Sequence, residues 1–166
     1  YGAADPGGGY GAGGGGGLIS GITSYAADMA PQTRVVGMEP EGAASLRAAF
    51  DHGGPVTLEE VDPFVDGAAV KRLGALPYEI LQANRERLSF DTVSEGAVCT
   101  DLLNLYQNEG IIAEPAGALS VAGLHQLDLE PGSTVVCVVS GGNNDVLRYA
   151  EIMERSLCLL YTSPSP

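Results

Sequence analysis

The sequence predicts an α/β domain in which a largely parallel sheet and its flanking helices form three layers. Two short apolar runs, residues 34–38 and 134–139, have the β-branched composition of strands that are buried on both faces. Segments with apolar residues at helical spacing separate these runs. Glycine-containing turns stand at residues 13–17, before a predicted helix, and at 140–144, after the second run. Ligands of such sheets bind at the carboxyl ends of strands, which makes these turns the predicted site.

The first part of the chain is expected to form a helix, a strand and a second helix. Apolar residues at helical spacing predict the first helix over about residues 18–30. The strand at 34–38 follows, and good helix formers predict the second helix over 42–50. Residues 56–67 contain two prolines, which predict a loop with one short strand at most.

The middle of the chain is expected to be helical around one further strand. A helix is expected to resume at Ala68, and another is expected over 77–87. Residues 88–93 alternate as a strand does, and Ser94 is expected to open a long helix that ends at Gly110.

The last part is expected to contain a small-residue helix over 116–127, the buried strand at 134–139 and a helix over about 145–157. The predicted elements divide the chain into an irregular glycine-rich segment at 1–12, one domain at 13–157 and a tail at 158–166. The tail looks like translated adaptor sequence and is expected to be non-native.

Composition limits the partners that this chain can bind. The formal net charge is −13, from 21 acidic and 8 basic residues, so nucleic acid and anionic membranes are not expected partners. No apolar run approaches the roughly 20 residues of a membrane span and no signal peptide is visible, so a cytoplasmic protein is expected. Cys99, Cys137 and Cys158 are too scattered for a zinc site, and His52 and His125 have no partner at ligand spacing.

The five consecutive glycines at residues 13–17 have two interpretations. Their backbone amides are not covered by side chains, and the helix that follows adds the positive end of its dipole, so the loop is suited to hold a phosphate. A glycine run within a glycine-rich segment is also typical of a flexible linker. Because the chain is acidic, any phosphate bound here must be held by amides rather than by a basic patch.

Five segments stand out, in this order: GGGGLISG at 14–21, VVGMEPEGAASLRAAF at 35–50, FVDGAAVKRLG at 64–74, EGIIAEPAGALSVAGL at 109–124 and VVCVVSGGNND at 135–145. Together they resemble the catalytic region of the threonine dehydratases (threonine ammonia-lyases), pyridoxal-phosphate enzymes of fold type II. The sequence of the second segment is most similar to the biosynthetic, isoleucine-pathway branch.

This resemblance implies about half of a catalytic domain: part of the large domain of fold type II, similar to the tryptophan synthase β subunit. The implied cofactor is pyridoxal 5'-phosphate. The implied reaction of the intact protein, expected to be a homo-oligomer, is the β-elimination of L-threonine to 2-oxobutanoate and ammonia. Serine is a second possible substrate, because catabolic serine/threonine dehydratases and serine racemases have the same motifs.

The resemblance also assigns roles to individual residues. The serine after the late strand, Ser140, is implied to hydrogen-bond the pyridine nitrogen of the cofactor, and its alternative role is a helix N-cap. Glu114 is implied to lie near the cofactor, or else to interact with a helix dipole as an N-terminal carboxylate. The phosphate is implied to be held by Gly14, Gly15, Gly16, Gly17 and the amide of Leu18.

Two further positions carry weaker implications. Glu39 and the Ala43 carbonyl correspond to a divalent-cation site of related serine racemases, but Ser45 stands where that site has a second carboxylate. A helix-start role is therefore favoured for Glu39. Asp66 and Gly67 correspond to a loop that faces the active site in relatives, and a simple turn is the alternative.

The sequence contains no residue that matches the family's Schiff-base lysine. Its single lysine, Lys71, lies in a stretch that is not the cofactor lysine in relatives, so the chain alone is expected to be inactive. A competing hypothesis is a non-catalytic Rossmann-type nucleotide-binding module, in which Glu39, about 20 residues after the glycine loop, would hold a ribose.

Overall fold

A computed structural model describes the backbone of residues 15–162 and the side chains of residues 15–157. The expectations for residues 1–12, for Gly14 and for residues 163–166 lie outside the described residues. In chain order the principal elements are α1 Gly17–Met29, β1 Val35–Pro40, α2 Ser45–His52, α3 Ala75–Ala83, β2 Leu88–Val93, α4 Glu95–Glu109, α5 Pro115–Leu124 and α6 Tyr149–Thr162. Short 3-10 helices occupy Glu41–Ala43, Arg85–Arg87 and Val146–Arg148.

The two strands confirm a parallel α/β arrangement. Strand β1 pairs with β2 in parallel, with Val35 opposite Leu88 and Pro40 opposite Val93. Successive side chains of a strand point to opposite faces, so β1 contributes to two cores. Val35 packs with α1, α2 and α3 in one core, and Met38 packs with α4, α5 and α6 in the other. The sheet therefore lies between two helical layers, as predicted.

Several boundaries agree closely with the sequence predictions. Strand β2 occupies the predicted residues, and α1 begins one residue before the predicted start. At the start of α4, Ser94 Oγ accepts a hydrogen bond from the Ala97 amide at 3.3 Å. At its end, Gly110 has the left-handed φ of 67°. No helix within residues 15–162 has the length and apolar character that a membrane span requires.

The prediction that a helix resumes at Ala68 is wrong. Residues 68–74 approach the glycine loop instead, where Leu73 forms a parallel bridge with Gly15 and the Gly74 amide donates to the Gly15 carbonyl at 3.0 Å. These contacts use the backbone groups that a helix would need, so α3 begins only at Ala75.

The prediction of a buried strand at residues 134–139 is also wrong. These residues have no regular secondary structure, and Val136 is 56% exposed. A cleft of about 640 Å³ lies between this segment and β1, and it is lined by Val36 on one side and by Val135 and Val136 on the other. Because a strand exists only with a hydrogen-bonded neighbour, the cleft explains why this apolar run forms none here.

Two helical ends differ from the predictions in position. Gly42 and Ala43 lie in a 3-10 helix, and α2 starts after them at Ser45. The last helix begins at Tyr149 and continues to Thr162, so residues 158–162 extend it where a break in the pattern was expected.

Candidate functional site

The glycine loop packs tightly on the chain between Val70 and Leu73. Gly15 and Gly16 are buried, whereas Gly17 is exposed. A Cβ atom at Gly15 would lie 2.8 Å from the Arg72 carbonyl oxygen. A Cβ atom at Gly16 would lie 2.5 Å from Leu73 Cδ1, and the φ of Gly16 is 96°. Both positions therefore require glycine, which shows that this part of the run is a built turn rather than a linker.

The turn leads directly into the amino terminus of α1. Gly16 is the N-cap of the helix, no side chain caps it, and its first turn contains no acidic residue. The Ser20 amide donates to the Gly16 carbonyl at 3.0 Å, which leaves the amides of Gly17, Leu18 and Ile19 without intrahelical acceptors. Uncapped amides at the positive end of a helix dipole fit a phosphate group.

Glu39 lies beside this turn, but its carboxylate serves helix α2. Oε1 accepts from the Leu46 amide at 2.7 Å, and Oε2 accepts from the Arg47 amide at 2.9 Å. Burial raises the pKa of Glu39 to about 7, against the opposing effects of these two amides and of the Arg47 charge. This geometry is the helix-start role that the sequence favoured.

The other two roles considered for Glu39 receive no comparable support. The dinucleotide hypothesis needs a carboxylate that is free to bind a ribose, and both oxygens of Glu39 are already engaged. Among the described residues, no group of three or more His, Cys, Asp or Glu side chains is arranged to hold a metal ion. Ala43 is buried in its 3-10 helix, and a cation at Glu39 and Ala43 stays a prediction.

A second cluster forms around Glu114 at the start of α5. Glu114 is the N-cap residue of the helix, but its side chain makes no capping hydrogen bond. The carboxylate lies instead against Gly67 and Gly141: a Cβ atom at Gly141 would collide with Oε1, and one at Gly67 would lie 3.1 Å from it. The Glu114 amide donates to the Gly141 carbonyl at 3.0 Å. Glu114 is thus held between two glycines, with its carboxylate available to a ligand.

Ser140 precedes Gly141 in this second cluster and is half-buried. Its alternative role as a helix N-cap is wrong, because no helix begins at the next residues. Asp145 caps the following 3-10 helix, through a hydrogen bond of 2.9 Å from the Leu147 amide to Oδ1. Ser140 is therefore close to Glu114 in the fold, and its role toward a cofactor stays a prediction.

The segment between residues 62 and 74 connects the two clusters. Gly67 contacts Glu114, and a few residues later Val70 and Leu73 contact the glycine loop. Asp66, which the sequence placed in this segment, is exposed and pairs with Arg148 at 3.5 Å. Sequence reasoning missed Arg148, although an arginine on the last helical segment of so acidic a chain is a usable signal.

The three remaining residues considered for the site, Lys71, His52 and His125, are all exposed. Lys71 is exposed, and its carbonyl accepts from the Leu58 amide at 2.8 Å in an extended stretch rather than in a helix. His52 Nδ1 is 2.9 Å from the Ala48 carbonyl, and the side chain of His125, 71% exposed, lies 3.3 Å from Asp101. The contacts of both histidines are thus with residues outside the two clusters.

Comparison with protein families identifies one matching family model, described as pyridoxal-phosphate dependent enzyme, over residues 4–141. Among curated proteins, the biosynthetic L-threonine dehydratase IlvA of Corynebacterium glutamicum is 67% identical over 144 residues, which is 87% of this chain and 33% of that protein. The Mycobacterium leprae protein of the same name is 65% identical over 87% of this chain and 34% of its own length. The chain thus spans about a third of the length of the curated relatives that it matches.

Solved structures with a similar fold include proteins with related names. Processed threonine deaminase isoform 2 from Solanum lycopersicum superposes with a TM-score of 0.75 at 29% identity, over 85% of this chain and 41% of that chain. Maize serine racemase superposes with a TM-score of 0.69 at 26% identity, over 85% of this chain and 44% of its own. The similarity to threonine dehydratases that the sequence motifs indicated is therefore confirmed.

Proposed function

The chain belongs to the family of pyridoxal-phosphate dependent enzymes, and on that premise we propose that it is the carboxyl-terminal part of the catalytic domain of an L-threonine dehydratase. The whole protein would convert L-threonine to 2-oxobutanoate and ammonia by β-elimination, as a step of isoleucine biosynthesis. The proposal is supported by the 67% identity to a biosynthetic L-threonine dehydratase over most of this chain.

The single structural observation that supports this proposal best is the uncapped amino terminus of α1. The turn before it is held in shape by Gly15 and Gly16, where side chains do not fit. Gly17 is exposed, so its amide and that of Leu18 can donate to a phosphate from the solvent side. In this proposal the loop anchors the phosphate end of the cofactor; the role predicted for Gly14 lies outside the described residues.

The second cluster would serve the ring end of the cofactor. When bound, pyridoxal phosphate supplies the electron sink that allows an amino acid to lose its α-proton. The Ser140 hydroxyl would hydrogen-bond the pyridine nitrogen without holding it protonated, which suits prompt loss of a β-hydroxyl group. The Glu114 carboxylate, fixed between Gly67 and Gly141, would orient that ring from one side.

The chain by itself is proposed to be a binding unit rather than an active enzyme. Lys71 is its single lysine, and although the neighbouring Val70 and Arg72 pack on the glycine loop, Lys71 itself is exposed. The family's reaction needs a lysine that holds the cofactor as a Schiff base, and neither described cluster contributes a lysine side chain. A cytoplasmic location and a homo-oligomer of the full-length protein stay predictions.

Equilibrium dialysis of the purified chain against pyridoxal 5'-phosphate and, separately, against NAD tests the proposal. We expect one pyridoxal phosphate bound per chain, no binding of NAD, and no 2-oxobutanoate formed from threonine. Preference for NAD would contradict the cofactor, and turnover that Lys71→Ala abolishes would contradict the inactive binding unit. In a full-length protein that contains these residues, faster turnover of threonine than of serine is expected, and racemisation of serine would indicate the serine racemase alternative.

A further inference from the structure

A loop with the sequence DPFVD, residues 62–66, is held at both of its ends by arginines from the last helical region. Asp62 Oδ2 lies 3.6 Å from Arg155 Nη1, and Asp66 Oδ2 lies 3.5 Å from Arg148 Nη1. Between these ion pairs, the Phe64 ring lies 4.0 Å from the Arg155 guanidinium carbon and 5.1 Å from that of Arg148. We call this cluster, formed by Asp62, Phe64, Asp66, Arg148 and Arg155, the arginine clamp.

Further contacts make the clamp more than two surface ion pairs. Arg148 Nη2 donates to the Phe64 carbonyl oxygen at 2.7 Å, so this guanidinium binds the loop backbone as well as a side chain. Glu151 lies between the arginines and accepts from Arg155 Nε at 3.1 Å. Phe64 is only 3% exposed, which shields the two cation–π contacts from water. In a chain with eight basic residues and a net charge of −13, two arginines are committed to this one loop.

The clamped loop continues directly into the candidate site. Gly67, the next residue, lies against the Glu114 carboxylate and the Ala116 methyl group. The chain then turns, with the Ala68 amide donating to the Val65 carbonyl at 2.9 Å. Leu73 finally reaches the glycine loop through its bridge with Gly15. One continuous stretch of chain therefore connects the clamp to both the phosphate end and the ring end of the proposed cofactor site.

We propose that Arg148 and Arg155 are positioning residues of this site. They hold the DPFVD loop so that Gly67 fixes the direction of the Glu114 carboxylate and residues 70–73 support the glycine loop. The inference rests on the proposed cofactor site for its functional meaning, but the positioning itself is a property of the fold. It follows that a displacement of α6 would be transmitted to both ends of the site together.

Hydrogen exchange and cofactor binding of the clamp variants test this proposal. In Arg155→Met and Arg148→Met, we expect amides of residues 62–74 and 15–20 to exchange roughly tenfold faster, with β1 and β2 unchanged. The affinity for pyridoxal phosphate should fall roughly fivefold. Arg148→Lys keeps a positive charge beside Asp66 but loses the second guanidinium nitrogen that binds the Phe64 carbonyl, so it should restore both properties only in part. Arg47→Met, which removes an exposed ion pair with Asp91 on β2, is the matched control and should change neither.

The results separate positioning from general destabilisation. Leu105→Ala weakens the same core without touching the clamp, so at an equal loss of melting temperature it should leave the cofactor affinity unchanged. Unchanged exchange in both Met variants, or an equal rise in β1 and β2, would overturn the proposal. If a Met variant does not fold, Asp66→Asn removes one ion pair and carries the same comparison. If the unaltered chain binds no pyridoxal phosphate, the proposed function fails, and the exchange data alone decide the clamp.

Discussion

The Glu39 carboxylate accepts a hydrogen bond from the Leu46 amide at 2.7 Å and so ties the end of strand β1 to the start of helix α2. Glu39 is 6% exposed, and its position brings a titratable group into the core beside the glycine loop. Folding stability should therefore depend on the protonation of this one side chain.

We expect Glu39 to make the folded chain less stable as the pH rises from 4.5 to about 7. Burial raises the pKa of Glu39 from 4.5 to about 7, so within this window the folded chain holds a proton that the unfolded chain releases. The group's favourable contribution is complete below pH 4.5 and lost above pH 7, a change of about 3 kcal/mol. Urea denaturation across this range should show a smaller fall for Glu39→Gln. Glu109→Gln, at an exposed position, should behave as the unaltered chain does, and an equal fall in all three proteins would refute this account.

Alanine substitutions at two glycines of the same helical region should have opposite effects. Gly16→Ala places a Cβ atom 2.5 Å from Leu73 Cδ1 at a residue with positive φ, and it should reduce the free energy of unfolding by about 1–3 kcal/mol. Gly21→Ala, inside α1 with nothing within 4 Å, should increase it by about 1 kcal/mol. Chemical denaturation measures both, and destabilisation by Gly21→Ala would show that α1 is packed differently.

Gly141→Ala should weaken cofactor binding more than it weakens the fold. The added methyl group would occupy the position of the Glu114 carboxylate, which must then turn away from the site. We expect roughly tenfold weaker binding of pyridoxal phosphate, equivalent to about 1.4 kcal/mol. Gly54→Ala, which has open space around its Cβ position, should bind normally. Equal affinities of the two variants in equilibrium dialysis would exclude Glu114 from the site.

The backbone of residues 135–139 should exchange its amide protons rapidly. Within the described part of the chain, these amides donate no backbone hydrogen bond, and Val135 and Val136 line the open cleft. We expect exchange roughly a hundredfold faster here than in β1 and β2. Protection equal to that of the two strands would mean that another chain segment fills the cleft in solution.

The sequence predicted the elements whose signals are local. Ser94 and Gly110 mark the two ends of α4 by side-chain capping and by a left-handed glycine, and neither effect needs a distant partner. The glycine turn before α1 belongs to the same class. Its resemblance to a cofactor loop predicts a phosphate site at the helix terminus, and no side chain caps that terminus in the structure.

The sequence failed where structure depends on distant partners. Residues 134–139 have a strand's composition, but a strand needs a neighbour, and the cleft lies where that neighbour would be. Residues 68–74 have helix-forming alanine and leucine, yet the backbone of Leu73 and Gly74 binds Gly15, almost sixty residues earlier. The clamp between Phe64 and Arg155 was missed for the same reason, because nothing local links those residues.

Comparison of pyridoxal 5'-phosphate with pyridoxal, which lacks the phosphate, tests the central claim most directly. We predict that the unaltered chain binds pyridoxal 5'-phosphate and that its affinity for pyridoxal is lower by roughly tenfold or more. Gly17→Asp places a negative charge in the first turn of α1 and should abolish this difference, while the neutral Gly17→Asn should keep it. Equal binding of the two compounds by the unaltered chain, or a full preference for the phosphate in Gly17→Asp, would contradict the assignment of the glycine loop as the phosphate site.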